Sequence, residues 1–180
     1  MIKVVLISGK AGSGKDTVAK MLKRRFETDG KRVIIAHFGD LVKYVAKTFY
    51  QWNGEKDEEG RHLLQKIGTD IVRNVNPDYW VNFMCDFLTF FGDDYDVCII
   101  PDLRFPNELE VLRVSGFNTV HIDIYRPDYV TSLTEAQQQH ASETSMNGVI
   151  PDIQIINDST LYRLEKESYT VFKQIETGDM

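Results

Sequence analysis

Residues 4–17 of the sequence read Val4-Val5-Leu6-Ile7-Ser8-Gly9-Lys10-Ala11-Gly12-Ser13-Gly14-Lys15-Asp16-Thr17. The four apolar residues predict a buried strand, the glycines a tight loop, and the pattern from Lys15 onward a helix. Glycine lets successive backbone N–H groups turn inward, and a helix N-terminus attracts anions. Residues 9–17 therefore predict a phosphate-binding loop in which each residue is a candidate contact. The alternative is a Gly-rich turn without a ligand.

Lys15 is the first candidate catalytic residue, because its mobile ammonium can reach the β- and γ-phosphates of a nucleotide. The loop departs from the usual pattern at Asp16, where a Ser or Thr normally ligates magnesium, and Thr17 follows one residue later. A carboxylate can hold Mg²⁺ directly or through water, and it also suits a helix N-terminus. Asp16 and Thr17 are both candidate metal ligands.

The composition favours one domain over residues 1–180, because 180 residues with 42% hydrophobic side chains suffice for one core but not for two ordinary domains. The net charge of −6 argues against a nucleic-acid polymer as partner, since binding to such a polymer draws on surplus Lys and Arg. Cys85 and Cys98 lack metal-type spacing, and no signal peptide or long apolar run is present. We expect a cytoplasmic protein without a membrane partner.

The distribution of apolar runs predicts an α/β fold. Strand-like runs cover residues 3–8, 32–37, 96–100, 118–124 and 152–156, and helical patterns cover 15–27, 40–50, 59–75 and 78–91. Strands that alternate with helices indicate a parallel sheet covered on both faces.

Two segments are longer than a simple crossover requires. Residues 38–95 are predicted to be helical, and residues 125–150 are polar and rich in Gln, Ser and Thr. Ligands of open α/β sheets bind beyond the carboxyl ends of the strands, where insertions can cover them. We expect an acceptor-binding insertion at 38–95 and a lid at 125–150, with a plain surface loop as the alternative for the second segment.

The third predicted strand is followed directly by Asp102 and Arg104. An acidic side chain at this place can hold a magnesium ion or its water, and the planar fork of Arg104 suits bidentate phosphate binding. Both are candidate catalytic residues, with Asp102 also a candidate metal ligand. A simple salt bridge between them is the alternative.

A polar face on the predicted helix 59–75 carries Arg61, Gln65, Thr69 and Arg73 at intervals of four. If this helix overhangs the phosphate loop, the arginines can hold an acceptor phosphate while Gln65, Thr69 and Trp80 contact the attached group. A polar helical face is otherwise simply solvated.

Three further candidates follow the fourth and fifth predicted strands along the chain. Arg126 can reach the transferring phosphoryl group as a closing arginine. His140 suits either a structural or a functional role. Asn157 can flank a purine ring, although Asn-Asp-Ser before a helix is also an ordinary N-cap.

The nature of the acceptor is indicated by what the sequence lacks. The catalytic-loop motif with which protein kinases deprotonate a hydroxyl is absent, as is the guanine-reading Asn-Lys-x-Asp motif. An acceptor that is itself a phosphate needs no base, because its second pKa of about 6 leaves it ionised at neutral pH.

The phosphate loop, Arg73, Trp80 and residues 102–108 occur together with three more phrases: Phe38-Gly39-Asp40-Leu41-Val42-Lys43, Gly60-Arg61-His62-Leu63-Leu64-Gln65-Lys66-Ile67-Gly68-Thr69-Asp70, and His140-Ala141-Ser142-Glu143. In this order they resemble the deoxynucleoside monophosphate kinases of bacteriophages and bacteria over nearly the whole chain. The ending Lys15-Asp16-Thr17 looks like that group as well.

The resemblance implies a three-layer P-loop kinase fold with a five-stranded parallel sheet, in which ATP and Mg²⁺ serve phosphoryl transfer to a deoxynucleoside 5′-monophosphate. It implies a small-molecule nucleotide as partner, leaves a homodimer open, and places a phage-encoded enzyme in the host cytoplasm. It also implies acceptor-side roles for Phe38, Asp40, Lys43, His140 and Glu143, beside Arg61, Gln65, Thr69, Arg73, Trp80 and Arg104.

Two other functions remain open at this stage. The animal-type phosphomevalonate kinases share much of this layout and form the nearest enzymatic alternative. A regulatory protein that binds ATP without turnover is the other, although such a protein is expected to lose acceptor-side arginines that this chain retains.

Overall fold

The computed structural model describes residues 2–178 and contains one five-stranded parallel sheet. The strands are β1 (Lys3–Ser8), β2 (Val33–Ile35), β3 (Val97–Ile100), β4 (Asn118–Tyr125) and β5 (Ile153–Ile156), in the spatial order β2-β3-β1-β4-β5. The central β1 pairs with β3 and β4 on either side. The chain order reverses across β1 and β3, and the carboxyl ends of these two strands are therefore where a ligand is expected to bind.

The helices follow the strands in the alternation that the sequence predicts. They are α1 (Lys15–Thr28), α2 (Gly39–Tyr50), α3 (Glu58–Gln65), α4 (Val72–Val75), α5 (Tyr79–Phe91), α6 (Pro106–Val114), α7 (Glu135–Gln139), α8 (Ala141–Thr144) and α9 (Leu161–Thr177). A π-helical turn at Lys66–Ile71 joins α3 to α4, and a 3₁₀ turn at Gly92–Asp94 follows α5. The α/β fold class is confirmed. No helix within residues 2–178 combines the length and the apolar character needed to cross a bilayer.

The two faces of the sheet are buried by different helices, which gives three layers. Val5 and Ile7 of β1 pack with α1 and α9, whereas the alternate residues Val4 and Leu6 pack with α5 and α6. Since successive strand side chains point to opposite faces, a strand that is buried on both is a continuous apolar run. The predicted bounds 3–8 of β1 are accordingly the observed ones.

The predicted helix 59–75 is not uniform, because its middle part is π-helical. The buried Trp80 donates from Nε1 to the carbonyl oxygen of Gly68 inside this turn, at 2.8 Å. Insertion of a side chain into the helical hydrogen-bond ladder is a recognised cause of such widening. The predicted strand 32–37 is also shorter than expected, since β2 lies at the edge of the sheet and pairs only with β3.

Candidate active site

The loop between β1 and α1 has a conformation that requires glycine at specific positions. Gly9 has a φ of 134°, and an added Cβ would lie 2.5 Å from the carbonyl oxygen of Ile124. Gly14, at the N-cap of α1, has a φ of 107°, and a Cβ there would lie 2.9 Å from Nδ2 of Asn157. The close neighbours, a backbone oxygen at Gly9 and a side-chain amide at Gly14, act together with the positive φ values to exclude larger residues, so the loop keeps the open curvature that suits an anion.

The Lys15 side chain is held in place by this loop. Its Nζ donates to the carbonyl oxygens of Gly9 at 2.7 Å and Lys10 at 2.8 Å. Burial lowers the pKa of Lys15 to about 8, and the charge of Arg104 adds to this effect while nearby carboxylates oppose it. The ammonium is thus poorly solvated and lies near a cation. Binding of an anion beside it would therefore stabilise the charged form of Lys15.

Asp102 connects the end of β3 to the start of α2. Its Oδ1 accepts a hydrogen bond from the backbone N–H of Phe38 at 3.0 Å, and its Oδ2 accepts one from Gly39 at 2.9 Å. The carboxylate therefore anchors the N-terminal end of α2 beside the loop. Each oxygen retains a second lone pair for another ligand.

Asp102→Asn is expected to lower the free energy of unfolding by about 1–3 kcal/mol, because an amide NH₂ cannot accept and one of the two backbone donors loses its partner. Urea denaturation measures this change. Asp128→Asn, at an exposed position, is the matched control and should leave the unfolding midpoint unchanged. Equal stabilities of both variants would show that Asp102 does not anchor α2.

Arg73 forms an ion pair with Glu108 that lies almost entirely inside the protein, with 9% and 1% of the two side chains exposed. The guanidinium also stacks on the Phe105 ring, 3.8 Å from its centroid. Oε2 of Glu108 accepts from the backbone N–H groups of Arg104 and Phe105 at 2.9 and 3.1 Å. Burial raises the pKa of Glu108 to about 7, against the opposing charge of Arg73. Arg73 is thus a structural partner of Glu108 in the wall of the site.

Arg104 is likewise paired, with a residue of the segment predicted to be a lid. Its Nη1 donates to the carbonyl oxygen of Ser142 at 2.8 Å and forms an ion pair with Glu143. Oε2 of Glu143 in turn accepts from the backbone N–H of Ala11, at 3.1 Å. One carboxylate therefore joins α8 to Arg104 and to the loop.

The segment after β4 contacts the outside of the loop as well. Arg126 donates from Nη1 to the carbonyl oxygen of Gly12 at 3.0 Å, and its guanidinium lies 4.6 Å from the ring centroid of Tyr129. Lys10 donates from Nζ to Oδ1 of Asn147 at 2.9 Å and to the carbonyl oxygen of Glu143. These contacts hold residues 126–147 against the loop.

A cavity of about 440 Å³ opens between the loop, the start of α2 and the segment from α3 to α5. This volume is within the range of small-molecule sites. Fourteen residues predicted to contact ligand line it: Ala11, Gly12, Lys15, Asp16, Phe38, Lys43, Arg61, Gln65, Thr69, Arg73, Trp80, Asp102, Arg104 and Glu143.

The polar side chains of Arg61, Gln65 and Thr69 make no hydrogen bond or ion pair within residues 2–178, although each is half-buried. The lining has six Lys and Arg against four Asp and Glu, a surplus of two positive charges in a chain whose net charge is −6. Free donors and local positive charge together favour an anionic ligand. The polar helical face is therefore not simply solvated, since it faces the cavity.

Other predicted site residues lie outside this lining: Gly9, Lys10, Ser13, Gly14, Thr17, Asp40, Arg126, His140 and Asn157. Asn157 donates from Nδ2 to the Ser13 carbonyl oxygen at 2.9 Å and so supports the loop. His140 caps α8 by accepting from the Ser142 N–H at 3.2 Å. Asp40 pairs with Lys43 at 2.8 Å. These observations give structural roles, and contact of these side chains with a ligand stays a prediction.

The structure adds cavity residues that sequence reasoning missed, among them Lys56, Glu108 and Leu133. Glu108 is the last residue of the segment 102–108 that follows the third strand. It lies three residues after the N-cap Phe105, a position from which a Glu side chain can reach back to the start of its helix. Lys56 lies in an irregular polar loop without periodicity, where no local pattern marks it.

The glycine loop with Lys15, at the end of the central strand of a parallel sheet and at the mouth of a cavity, defines a P-loop protein. The family model described as deoxynucleotide monophosphate kinase matches residues 31–167, so the chain belongs to that family. The whole phosphate loop, residues 9–17, lies outside the matched range, and the loop is therefore an independent observation in agreement with it.

Individual relatives agree with the family assignment. The deoxynucleotide monophosphate kinase of Enterobacteria phage T4 is 30% identical over 142 residues, which cover 77% of this chain and 54% of the relative. That of Escherichia phage RB69 is 32% identical over 106 residues, which cover 58% and 41%. The chain thus spans about half the length of the curated relatives it matches.

A solved structure supports the fold. The APS kinase of Mycobacterium tuberculosis in complex with AMPPNP and APS matches with a TM-score of 0.57 over 97% of this chain and 98% of that protein. At 14% sequence identity the similarity concerns the fold alone. It confirms the expected arrangement of a P-loop kinase around the parallel sheet.

Proposed function

We propose that this chain transfers the γ-phosphoryl group of ATP to the 5′-phosphate of a deoxynucleoside monophosphate and so forms the diphosphate. The observation that carries the proposal is a cavity lined both by Lys15 and by the unpaired donors of Arg61, Gln65 and Thr69, with Trp80 in the same lining. Two anionic groups can meet there, and the largely buried Trp80 contributes to the wall against which a base can pack. Membership of the kinase family supports the same reaction.

In this mechanism the protein positions the reactants and neutralises charge. The acceptor phosphate attacks as it stands, because it is already ionised at neutral pH and no general base is required. Lys15 stabilises negative charge as it develops on the transferred group, and Arg104 faces the same space from the end of β3. Residues 38–95 form the acceptor-binding insertion, and residues 125–150, with Arg126 and Glu143, act as a lid over the site that excludes water.

Magnesium fits the residues present. The side chains of Asp16 and Thr17 make no hydrogen bond within residues 2–178, and Asp102 retains free lone pairs. Within the same range no group of three or more His, Cys, Asp or Glu forms a ready cage. Mg²⁺ usually keeps several waters and takes one or two carboxylates plus substrate phosphates, so Asp16, Thr17 and Asp102 would suffice to hold it. The ion would neutralise charge on the phosphates during transfer.

We further propose that the enzyme acts on small nucleotides in the cytoplasm, that of the host for a phage-encoded chain, without a nucleic-acid polymer as partner. The acidic composition supports the absence of a polymer partner, because the chain has a net charge of −6 while the cavity lining has a local surplus of two positive charges. Whether the chain forms a homodimer is measured by sedimentation velocity on the purified protein, which distinguishes monomer from dimer.

One panel tests the reaction. ATP and Mg²⁺ are combined with dAMP, dGMP, dCMP, dTMP, the matching ribonucleotides and mevalonate 5-phosphate, while ADP release is followed and products are identified by mass. We expect at least one deoxynucleoside monophosphate to become its diphosphate, with dTMP and dGMP the first candidates. Turnover of mevalonate 5-phosphate alone would replace this proposal by a phosphomevalonate kinase, and absence of any acceptor-dependent turnover would favour a binding protein.

Nucleotide binding is expected to take up a proton above about pH 8. The free protein loses the Lys15 proton as the pH rises through about 8, whereas bound phosphates retain it, so ATP affinity falls as the pH rises through this window. Calorimetry of Mg²⁺-free ATP binding in two buffers with different ionisation enthalpies measures the uptake. Lys15→Arg, which does not titrate there, is the control, and identical proton uptake by both proteins would assign it to another group.

A further inference from the structure

Lys56 lines the cavity from the loop between α2 and α3. Burial and the positive charge of Lys43 lower the pKa of Lys56, whereas the carboxylate of Asp16 raises it. The charges of Arg104 and Arg61 lower this pKa further. These neighbours come from α1, α2, α3 and the end of β3. Lys56 is exposed to solvent, and it lines the cavity together with these four residues, where the phosphate loop and the predicted acceptor insertion meet.

The cations around Lys56 differ in whether they already have an anionic partner. Lys43 is paired with Asp40 at 2.8 Å, and Arg104 is paired with Glu143. The side chains of Lys56 and Arg61 make no hydrogen bond or ion pair within the described range 2–178. Two unpaired cations that repel each other beside a cavity are stabilised when an anion binds between them.

The loop that carries Lys56 is fixed by its own contacts. Trp52 donates from Nε1 to the carbonyl oxygen of Glu55 at 2.8 Å, and Oδ1 of Asp57 caps α3 by accepting from the N–H of Gly60 at 2.7 Å. A Cβ at Gly60 would collide with the Glu55 carbonyl oxygen, so the loop packs closely on the helix. Both chain neighbours of Lys56 are therefore held, and the ammonium is directed from a fixed backbone.

We propose that Lys56 is a substrate-contacting residue which, together with Arg61, binds the 5′-phosphate dianion of the acceptor. This inference rests on the proposed function for the identity of the substrate. The required chemistry is that of a phosphate monoester, because the Lys56 ammonium and the planar Arg61 guanidinium, which lie on adjacent elements, can donate to different oxygens of the same group.

The kinetic test compares Lys56→Ala with Lys56→Arg and with Lys66→Ala, an exposed lysine outside the cavity lining. With the best acceptor of the panel, Lys56→Ala should raise the acceptor KM by about 10-fold or more, as expected for loss of a charge-assisted hydrogen bond. The ATP KM should stay within about twofold of wild type, since the Lys15 loop is intact. Lys56→Arg should restore most of the acceptor affinity, and Lys66→Ala should behave as wild type.

A second measurement needs neither turnover nor a nucleotide. The protein is labelled with an amine-reactive acetyl ester at pH 8 with millimolar inorganic phosphate or with chloride at equal ionic strength, and labelling of each lysine is read by mass spectrometry. Phosphate should protect Lys56 and leave Lys66 unprotected.

The two measurements separate this inference from the proposed function. An unchanged acceptor KM in Lys56→Ala, or equal labelling of Lys56 in phosphate and chloride, would overturn the assignment even if nucleotides are phosphorylated. Protection of Lys56 by phosphate without turnover of any nucleotide would support an anion site at Lys56 and contradict the proposal that its ligand is a nucleotide acceptor.

Discussion

Lys15→Ala is expected to reduce kcat by about 100- to 1,000-fold with ATP and the best acceptor, the magnitude found when one preorganised electrostatic group is removed from an active site. The reason lies in the position of the ammonium. The loop carbonyls of Gly9 and Lys10 hold it at the mouth of the cavity, and it is poorly solvated, so its interaction with developing charge is strong.

Folding should be affected far less by this change. The side chain contributes no apolar packing to the core, and its two hydrogen bonds are to loop carbonyls, so the free energy of unfolding should change by less than about 1 kcal/mol. Lys20→Ala, at an exposed position on the same helix, is the matched control for both measurements. A folded Lys15→Ala protein with near-normal kcat would show that this loop is not catalytic.

Arg73→Ala is expected to cost about 3–5 kcal/mol of stability, because it leaves the carboxylate of Glu108 buried without its ion-pair partner. Loss of the stacking contact with Phe105 adds to the effect. Urea denaturation of the variant and of wild type measures the difference.

The Arg113–Asp152 pair provides the comparison for this result. It is an ion pair at 2.8 Å with 45% and 33% of its side chains exposed, so Arg113→Ala should cost only about 0–1 kcal/mol. Arg73→Lys retains the charge but loses the planar fork, and it should be intermediate in stability. If Arg73→Ala is as stable as Arg113→Ala but has a raised acceptor KM, Arg73 is a substrate ligand and its pairing with Glu108 is incidental.

Two of the three arginines that the sequence predicts on the acceptor side illustrate a general limit. Arg73 and Arg104 line the cavity as expected, yet each is paired with a carboxylate, Glu108 or Glu143, that lies 35 or 39 residues further along the chain. A long-range partner leaves no local pattern, so whether an arginine is free or paired cannot be predicted from spacing. Arg61, on the same predicted face, is the one of these three without such a partner among residues 2–178.

The predicted helix 59–75 shows the same limit for backbone structure. Its apolar and polar periodicity predicted helix correctly, but the π-helical turn at Lys66–Ile71 depends on Trp80, which reaches the Gly68 carbonyl from the following helix. The position of Lys56 in the cavity lining could not be predicted from local sequence for a similar reason. Its loop is held by Trp52 and by the cap of α3, and the side chain lines the cavity beside residues that are distant along the chain.

Features that depend on neighbours along the chain can be predicted from the sequence. The phosphate loop follows from glycines, a strand and a helix within 14 residues, and the order of strands and helices follows from the period of their apolar residues. The packing of the elements sets which charges are neutralised, where the helix widens, and which side chains line one cavity. These properties depend on distances between elements that packing brings together, and such distances are absent from any local pattern.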